Sequence, residues 1–239
     1  MIETNGIATT VIGLVRPHLE KAQPPRSLFV PFQLGRPLGE PGDPMFQRRV
    51  LAHALSLLER DDGRRILEDF PDDPPNWSDT PDWRGPISGA APGTTDRGVG
   101  PDWTGLFADE MALLMPLYRR RVAQTNGRTT VGISRQALES WPAFLGRFLA
   151  GAQPELPAGL PTLALALRFL CDDVKAFYGE AAQAEGPHPS SRQLDLWFWR
   201  ETVAGALLQH LRRVGMASEN SALKTVAGRF FVPAPYVSG

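Results

Sequence analysis

Two arginines flank a short apolar run near the start of the chain, and a guanidinium group has the geometry to bind an anion. Arg26 precedes residues 28–32, a predicted strand, and Arg36 follows them in a loop rich in Gly and Pro. A guanidinium can hold a carboxylate through two parallel hydrogen bonds. Ligands of α/β proteins also gather where strands end. The two arginines therefore predict a site for a substrate carboxylate; the alternative is that both are solvated or structural.

Two further residues are candidates for proton transfer. His18 lies at the end of the first predicted strand, and an imidazole titrates near neutral pH. The alternative for His18 is an ordinary surface histidine. Glu201 lies at helical spacing from Trp197 and Leu208, so we expect its carboxylate to point into an apolar face and to need a cation. Its candidate partners are Lys175, His210 and Arg168, and such a buried pair is either structural or a site for binding or proton transfer.

Cys171 is the only cysteine, so the chain can form no internal disulfide, and no cluster of Cys and His has metal-ligand spacing. Two aspartates follow it directly. Nearby negative charge raises the pKa of a thiol, which is the wrong direction for a reactive cysteine. We therefore predict a structural Cys171, no metal site and no cofactor. Nucleotide binding has no support, because no Gly-rich phosphate loop follows a strand.

Composition excludes several classes of function. The chain has 239 residues, 42% of them hydrophobic, and a formal net charge of −1. It has no strong overall charge to attract nucleic acid or an anionic membrane, and no apolar run reaches the roughly 18 residues of a membrane span. The first residues lack the basic region that opens a signal peptide. We therefore expect a globular cytoplasmic protein that binds neither nucleic acid nor membrane.

Residues 1–60 have the pattern of a partial α/β unit. Apolar and β-branched residues fill 7–15 and 28–32, two predicted strands joined by a short helix or turn. Asp43 and Pro44 are typical of a helix start, since Asp43 can accept a backbone hydrogen bond and Pro44 has no N–H to lose. The predicted helix carries one apolar face that needs a sheet to cover: Phe46, Val50, Ala54, Leu57 and Leu58.

Residues 61–101 are rich in Pro, Gly and Asp. Such a composition cannot bury enough apolar surface to offset the entropy of ordering, so it predicts an irregular linker. Trp77 and Trp83 are expected to anchor this linker in a groove of one domain; the alternative is a partner-binding motif.

Residues 102–239 have the apolar periodicity of helices. Pro116 lies inside the first of them and is expected to kink or break it. Ser190 and Gln193 form a capping box, and one helix is predicted to run from there to about Leu211. Four or five helices of this length make a bundle-like domain. The predicted fold is therefore a partial α/β unit, with two strands of a parallel-type sheet and a helix, followed by an all-α bundle.

A set of short motifs in residues 1–60 carries a family resemblance. The motifs are Gly6-Ile7 at the entry to the first strand, Pro25-Arg26 before the second, and PLGEP at residues 37–41, before a helix rich in Arg and Leu. Together they resemble the C-terminal end of selenoprotein B of the glycine, sarcosine and betaine reductases, and of the related D-proline reductase subunit. The likeness does not extend to the helical remainder.

The resemblance implies reductive cleavage of a carbon–nitrogen bond in a small amino-acid-like substrate, with electrons delivered through a redox-active thiol or selenol and a dithiol protein. The reacting species is a thiolate or selenolate. In the family that residue lies upstream of the matched region, so we expect an upstream segment or a partner subunit to supply it. We assign substrate binding to Arg26, Arg36 and Gly39 and leave the catalytic residue unknown, with His18 and Glu201 as candidates.

The two predicted strands are apolar on both faces, and two strands alone do not make a sheet that is stable in water. A protein partner, a second copy of this chain or the helical domain is expected to complete the sheet. Two functions stay open. One is a component of a reductase system of this kind, acting on a small molecule. The other is a non-enzymatic accessory protein whose helical domain binds a partner or an apolar ligand.

Overall fold

Two compact units make up the chain, unit 1 over Met1–Asp79 and unit 2 over Thr80–Gly239. Unit 1 contains a small parallel sheet with helices, and unit 2 is helical. The predicted fold class, a partial α/β unit followed by helices, is therefore confirmed. The structure is a computed structural model, and it describes residues 2–32, 35–39, 42–60, 65–72, 79–87 and 102–237.

Unit 1 alternates strands and helices. Its three strands are parallel and lie side by side in chain order, with Ile12 opposite Leu28 and Leu28 opposite Glu68. Parallel strands need a crossover connection, and a helix supplies each one. The elements are β1 (Val11–Gly13), α1 (Arg16–Ala22), β2 (Arg26–Phe29), α2 (Pro44–Ser56) and β3 (Ile66–Asp69).

Helix α2 begins where the sequence predicts and covers the sheet. Asp43 Oδ1 accepts a hydrogen bond from the backbone N–H of Phe46 at 3.0 Å, and Pro44 is the first helical residue. The rings of Phe32, Phe46 and Phe70 contact one another, with centroids 5.5 to 5.8 Å apart. The apolar core of unit 1 comprises Leu28, Val30, Phe32, Phe46, Val50, Ala54, Leu57, Ile66 and Phe70.

The sheet differs from the prediction in two ways. Strand β1 is shorter than the predicted 7–15, because the backbone N–H and hydroxyl of Thr9 donate to the Glu3 carboxylate instead of joining a ladder. Residues 66–69, predicted as part of a linker, form β3 and bury Ile66. The predicted two-strand sheet therefore has a third strand from the same chain, and the predicted boundary at residue 60 cuts through unit 1.

Helices of unit 2 enclose one large apolar core. Helix α5 lies at its centre and is buried along most of its length. Among the described residues, no helix combines the length and the apolar character that crossing a membrane requires. The helices are α3 (Trp103–Gln124), α4 (Trp141–Leu149), α5 (Leu163–Ala182), α6 (Ser191–Glu201), α7 (Val203–Ala217) and α8 (Ser221–Val226), and a π-helical turn follows over Ala227–Phe231.

Two helix predictions in unit 2 need correction. Helix α3 continues through Pro116, so the first of the two corrections is that Pro116 does not break the helix. The single helix predicted from Ser190 to about Leu211 is instead two helices, α6 and α7, separated at Thr202. Thr202 has extended backbone angles (φ −113°, ψ 148°). Its hydroxyl donates to Phe198 O at 2.6 Å and accepts from Gly205 N at 3.0 Å, so it ends one helix and caps the next.

We expect Phe70→Ala to destabilise unit 1 by about 3 kcal/mol, because it removes one ring of a buried aromatic cluster. Faster hydrogen exchange at the amides of Leu28 and Phe29 in β2 measures this loss. Leu55→Ala, on the exposed side of α2, is the control and should change exchange little. Equal exchange in the two variants would contradict the assignment of residues 66–72 to unit 1.

Candidate functional site

Charged side chains gather at the carboxyl ends of the strands in unit 1. Arg16 begins α1, with two residues between it and the end of β1, and Asp69 is the last residue of β3. Arg16 Nε and Nη2 donate to the two oxygens of Asp69 at 3.1 and 3.2 Å, and Nη1 donates to Glu20. Ligands of parallel α/β sheets bind at this edge. It is therefore a candidate site in unit 1, although the charge of Arg16 is already neutralised by two carboxylates.

A His–carboxylate pair connects α2 to β3. His53 Nε2 lies 2.6 Å from Glu68 Oε1, and Arg60 Nη1 donates to Glu68 Oε2 at 2.6 Å. The hydrogen bond to His53 is the main cause of a lowered pKa of Glu68. A carboxylate that stays ionised beside an imidazole can orient it for proton transfer. Sequence reasoning missed this pair, because the residues are 15 positions apart and one lies in the supposed linker.

A cleft of about 330 Å³ lies on the sheet face that carries Ser27, opposite the face that carries Leu28. The Ser27 hydroxyl is buried and donates to Ile66 O at 2.9 Å, so its proton is not available to a ligand. The cleft has the size for a small molecule, and its lining identifies no particular one. Its walls are Leu19, Glu20, Gln23, Pro24, Ser27, Arg65, Ile66 and Leu67.

The predicted two-arginine site is not formed. Arg26 begins β2 at its amino end, whereas Arg36 lies in the loop that leaves its carboxyl end. Arg26 Nη1 donates to Glu3 Oε1 at 2.8 Å and Nε donates to Arg60 O at 3.1 Å. Its guanidinium is therefore held by the protein itself. The structural alternative holds for Arg26, and Arg36 lies at the other end of β2, in the loop after its carboxyl end.

Gly39 and His18, two other predicted site residues, have plainer roles in the structure. Gly39 has φ +89°, and a Cβ there would lie 2.8 Å from the Phe46 ring. Backbone conformation and packing therefore explain why residue 39 is a glycine, without a role in substrate binding. His18 is exposed on the first turn of α1, in agreement with the surface-histidine alternative.

Unit 2 contains a buried carboxylate that the sequence did not reveal. Glu110 on α3 accepts hydrogen bonds from the Tyr178 hydroxyl at 2.6 Å and from the backbone N–H groups of Val203 and Ala204 at 2.8 and 2.9 Å. These N–H groups are the unpaired donors that begin α7. Burial raises the pKa of Glu110, although the three donated hydrogen bonds act in the opposite direction. The group connects α3, α5 and α7 and is fully satisfied, which makes it structural.

The predicted burial of Glu201 is wrong. Glu201 is exposed at the end of α6, because the break at Thr202 moves the apolar residues that follow onto a different helix. The three cations proposed for it have other contacts. Lys175 Nζ donates to Asp172 at 2.8 Å, His210 stacks on Trp103 with centroids 5.4 Å apart, and Arg168 lies 3.9 Å over the Phe230 ring.

The cysteine is unreactive, as predicted. Cys171 is buried in the core of unit 2, and burial raises the pKa of its thiol to about 12, with a smaller contribution from Asp172. A negligible fraction is thiolate near neutral pH. Within the described stretches of the chain, no group of three or more His, Cys, Asp or Glu is placed to hold a metal ion.

The linker prediction has a mixed outcome. Trp83 packs against the core of unit 2, as expected of an anchor, and Trp77 lies outside the described residues.

Comparisons with models of known protein families, with curated proteins and with solved structures found no match to this chain. The resemblance of residues 1–60 to the reductase family therefore stays a prediction.

Two glycines of the loop after β2 provide a matched test of the role of Gly39. Gly35 and Gly39 have φ of +90° and +89°, but a Cβ on Gly35 would meet no atom of the described residues within 4 Å. Gly35→Ala should therefore cost only the backbone strain, about 1–2 kcal/mol. Gly39→Ala should cost roughly 1–3 kcal/mol more, since Phe46 must also shift. Urea unfolding measures both, and equal losses would contradict the packing role.

Removing the Glu110 carboxylate should destabilise unit 2 strongly. Glu110→Ala leaves two backbone N–H groups and the Tyr178 hydroxyl buried without a partner, so we expect a loss of about 2–4 kcal/mol in urea unfolding. Glu201→Ala is the control at an exposed carboxylate and should change stability by less than about 0.5 kcal/mol. Similar losses in the two variants would contradict the assignment.

The pH dependence of stability tests the same carboxyl group. Its pKa in the folded protein lies above the ordinary 4.5, so the folded state binds the proton more tightly than the unfolded state. Its contribution is therefore complete below pH 4.5 and is lost as the pH rises through the folded-state pKa. Glu110→Gln should remove this decline when the free energy of unfolding is measured as a function of pH. The same pH profile in the variant and the unaltered chain would contradict the assignment of the decline to Glu110.

Proposed function

We propose that the chain is a component of a system similar to the glycine, sarcosine, betaine and D-proline reductases, in which an upstream segment or a partner polypeptide supplies the redox-active thiol or selenol. The resemblance of residues 1–60 supports the reductase part of this proposal, and the location of Cys171 supports the need for a thiol from elsewhere. Cys171 is the only cysteine of the chain, it lies in the core of unit 2, and its pKa is about 12. Thiol chemistry at neutral pH therefore requires a residue from outside this sequence.

The edges of the sheet in unit 1 support a partner. Within the described residues, β1 and β3 each pair on one side only, and a strand with an unpaired side is a template for another chain. Val11 of β1 and Ile7 before it are exposed apolar side chains on the β1 side. A strand from a partner, or from a second copy of this chain, would cover them and extend the sheet.

The charged edge of unit 1 is where this component would contribute to a shared site. Arg36 in the loop after β2 can bind a substrate carboxylate, and the His53–Glu68 pair can move a proton. A reducing compartment suits chemistry of this kind, so we place the protein in the cytoplasm.

A non-enzymatic accessory role is the second candidate, and one observation favours it. Arg26, predicted to bind substrate, is held by Glu3 and by the Arg60 carbonyl. In this role unit 1 is a docking module, and the helical unit binds a partner or an apolar ligand.

Purification of the tagged chain from its native host tests the two roles. We expect mass spectrometry to identify a partner with a Cys or selenocysteine before a strand. The complex should release the amine from glycine, sarcosine or betaine, or open the ring of D-proline, with a dithiol as reductant. Val11→Lys should reduce partner recovery and activity about ten-fold or more, whereas Leu55→Lys on the exposed side of α2 should reduce neither.

His53→Gln in the same complex separates the roles further. Loss of activity with normal partner recovery would support a contribution of unit 1 to the chemistry. A stable complex that cleaves none of the four substrates would contradict the reductase proposal and favour the accessory role. Equal recovery of the partner by the Val11→Lys and Leu55→Lys variants would contradict docking at β1.

A further inference from the structure

A segment of irregular chain, residues 80–87, packs against helix α6 within unit 2. The side-chain amide of Gln193 forms two hydrogen bonds to Thr80, accepting from its backbone N–H at 2.8 Å and donating to its carbonyl at 2.9 Å. The Thr80 hydroxyl donates to the carbonyl of His188. Gln193 therefore contacts both backbone groups of one residue, as a neighbouring strand would.

The other end of the segment is held by Trp197. Its indole Nε1 donates to the carbonyl of Ile87 at 2.7 Å, and its ring meets Trp83 edge-on, with centroids 6.3 Å apart. Gly85 passes so close that a Cβ would lie 2.0 Å from Nε1. The surface of α6 therefore requires a glycine at position 85, between the Trp83 ring and the carbonyl of Ile87.

These contacts have the features of peptide recognition. Main-chain hydrogen bonds provide affinity that is independent of side chains, and a tryptophan anchor is typical of binding hot spots. Pro81 and Pro86 restrict the free segment, which lowers the entropy lost on binding. Gln193 has this role in addition to its part in the capping box of α6, where it accepts from Ser190 N at 3.0 Å.

We infer that the surface formed by Gln193 and Trp197 on α6 is a peptide-binding site, occupied here in cis by residues 80–87. When the segment leaves, the site accepts the same Thr-Pro-Asp-Trp-Arg-Gly-Pro-Ile pattern from another polypeptide. The segment is held by a few side-chain contacts and belongs to no sheet or helix, so exchange breaks no secondary structure. This inference rests on unit 2 alone and is independent of the proposed function.

Binding of an acetylated, fluorescein-labelled peptide with the sequence of residues 79–87 tests the inference. The full chain with Trp83→Ala and Gly85→Ala should release its own segment, because the anchor is lost and the new Cβ collides with Trp197. A tethered segment competes at an effective concentration of about millimolar. We therefore expect the double variant to bind the peptide at least about ten-fold more tightly than the unaltered chain, by fluorescence anisotropy.

Two matched controls identify the contacts. A peptide with Gly85→Ala should bind the double variant at least about ten-fold more weakly than the natural sequence. Adding Gln193→Glu to the double variant retains a capping-box residue but removes the donor to Thr80 O, so it should weaken binding while far-UV circular dichroism stays unchanged. A folded double variant that binds both peptides equally, or neither, would overturn the inference.

The unaltered chain provides a test that needs no variant. Excess peptide should displace the tethered segment and accelerate hydrogen exchange at the Thr80 amide, measured by mass spectrometry, whereas the Gly85→Ala peptide should not. Identical exchange with the two peptides would also overturn the inference.

Discussion

The carboxylate of Glu110 lies where three helices of unit 2 meet, and the arrangement of that unit depends on it. The helix is broken at Thr202, and the break leaves the first N–H groups of α7 partly or fully buried. Buried donors without partners would be costly, and Glu110 on α3 accepts two of them together with the Tyr178 hydroxyl of α5. One side chain thus makes the break possible and fixes α3, α5 and α7 relative to one another.

The same device recurs around unit 2, where side chains on helices satisfy the backbone of irregular segments. Asp173 on α5 accepts from the N–H groups of Gly132, Ile133 and Ser134, and Glu180, further along the same helix, accepts from Thr130. Gln193 on α6 does so for residue 80. Loops without regular structure are therefore connected to the helices by hydrogen bonds to their main chain. The inferred peptide-binding site uses the same chemistry. Gln193 and Trp197 form hydrogen bonds to backbone groups of residues 80–87, and any peptide carries such groups.

Unit 1 is organised differently, by a small aromatic cluster between α2 and three short strands. A sheet of this size has little apolar area to bury, and its outer strands keep unpaired edges among the described residues. The charged groups at its strand ends are largely paired with one another, as in Arg16 with Asp69 and His53 with Glu68. A module of this kind is suited to act as part of an assembly.

By itself the sequence determined the local elements whose signals lie within one or two turns: the Asp43–Pro44 helix start, the capping box at Ser190 and the apolar face of α2. Their physical causes act between near neighbours, so residue order is enough to predict them. Tertiary structure alone decided the third strand, the break at Thr202, and the choice of Glu110 over Glu201 as the buried carboxylate. Each of these depends on groups far apart in sequence: β3 is stabilised by pairing with β2, and the break by an acceptor 93 positions away on α3. The apolar periodicity placed Glu201 on a buried face only under the assumption of one continuous helix. The structure has two helices, α6 and α7, and the hydrogen bonds to Glu110 stabilise the start of the second.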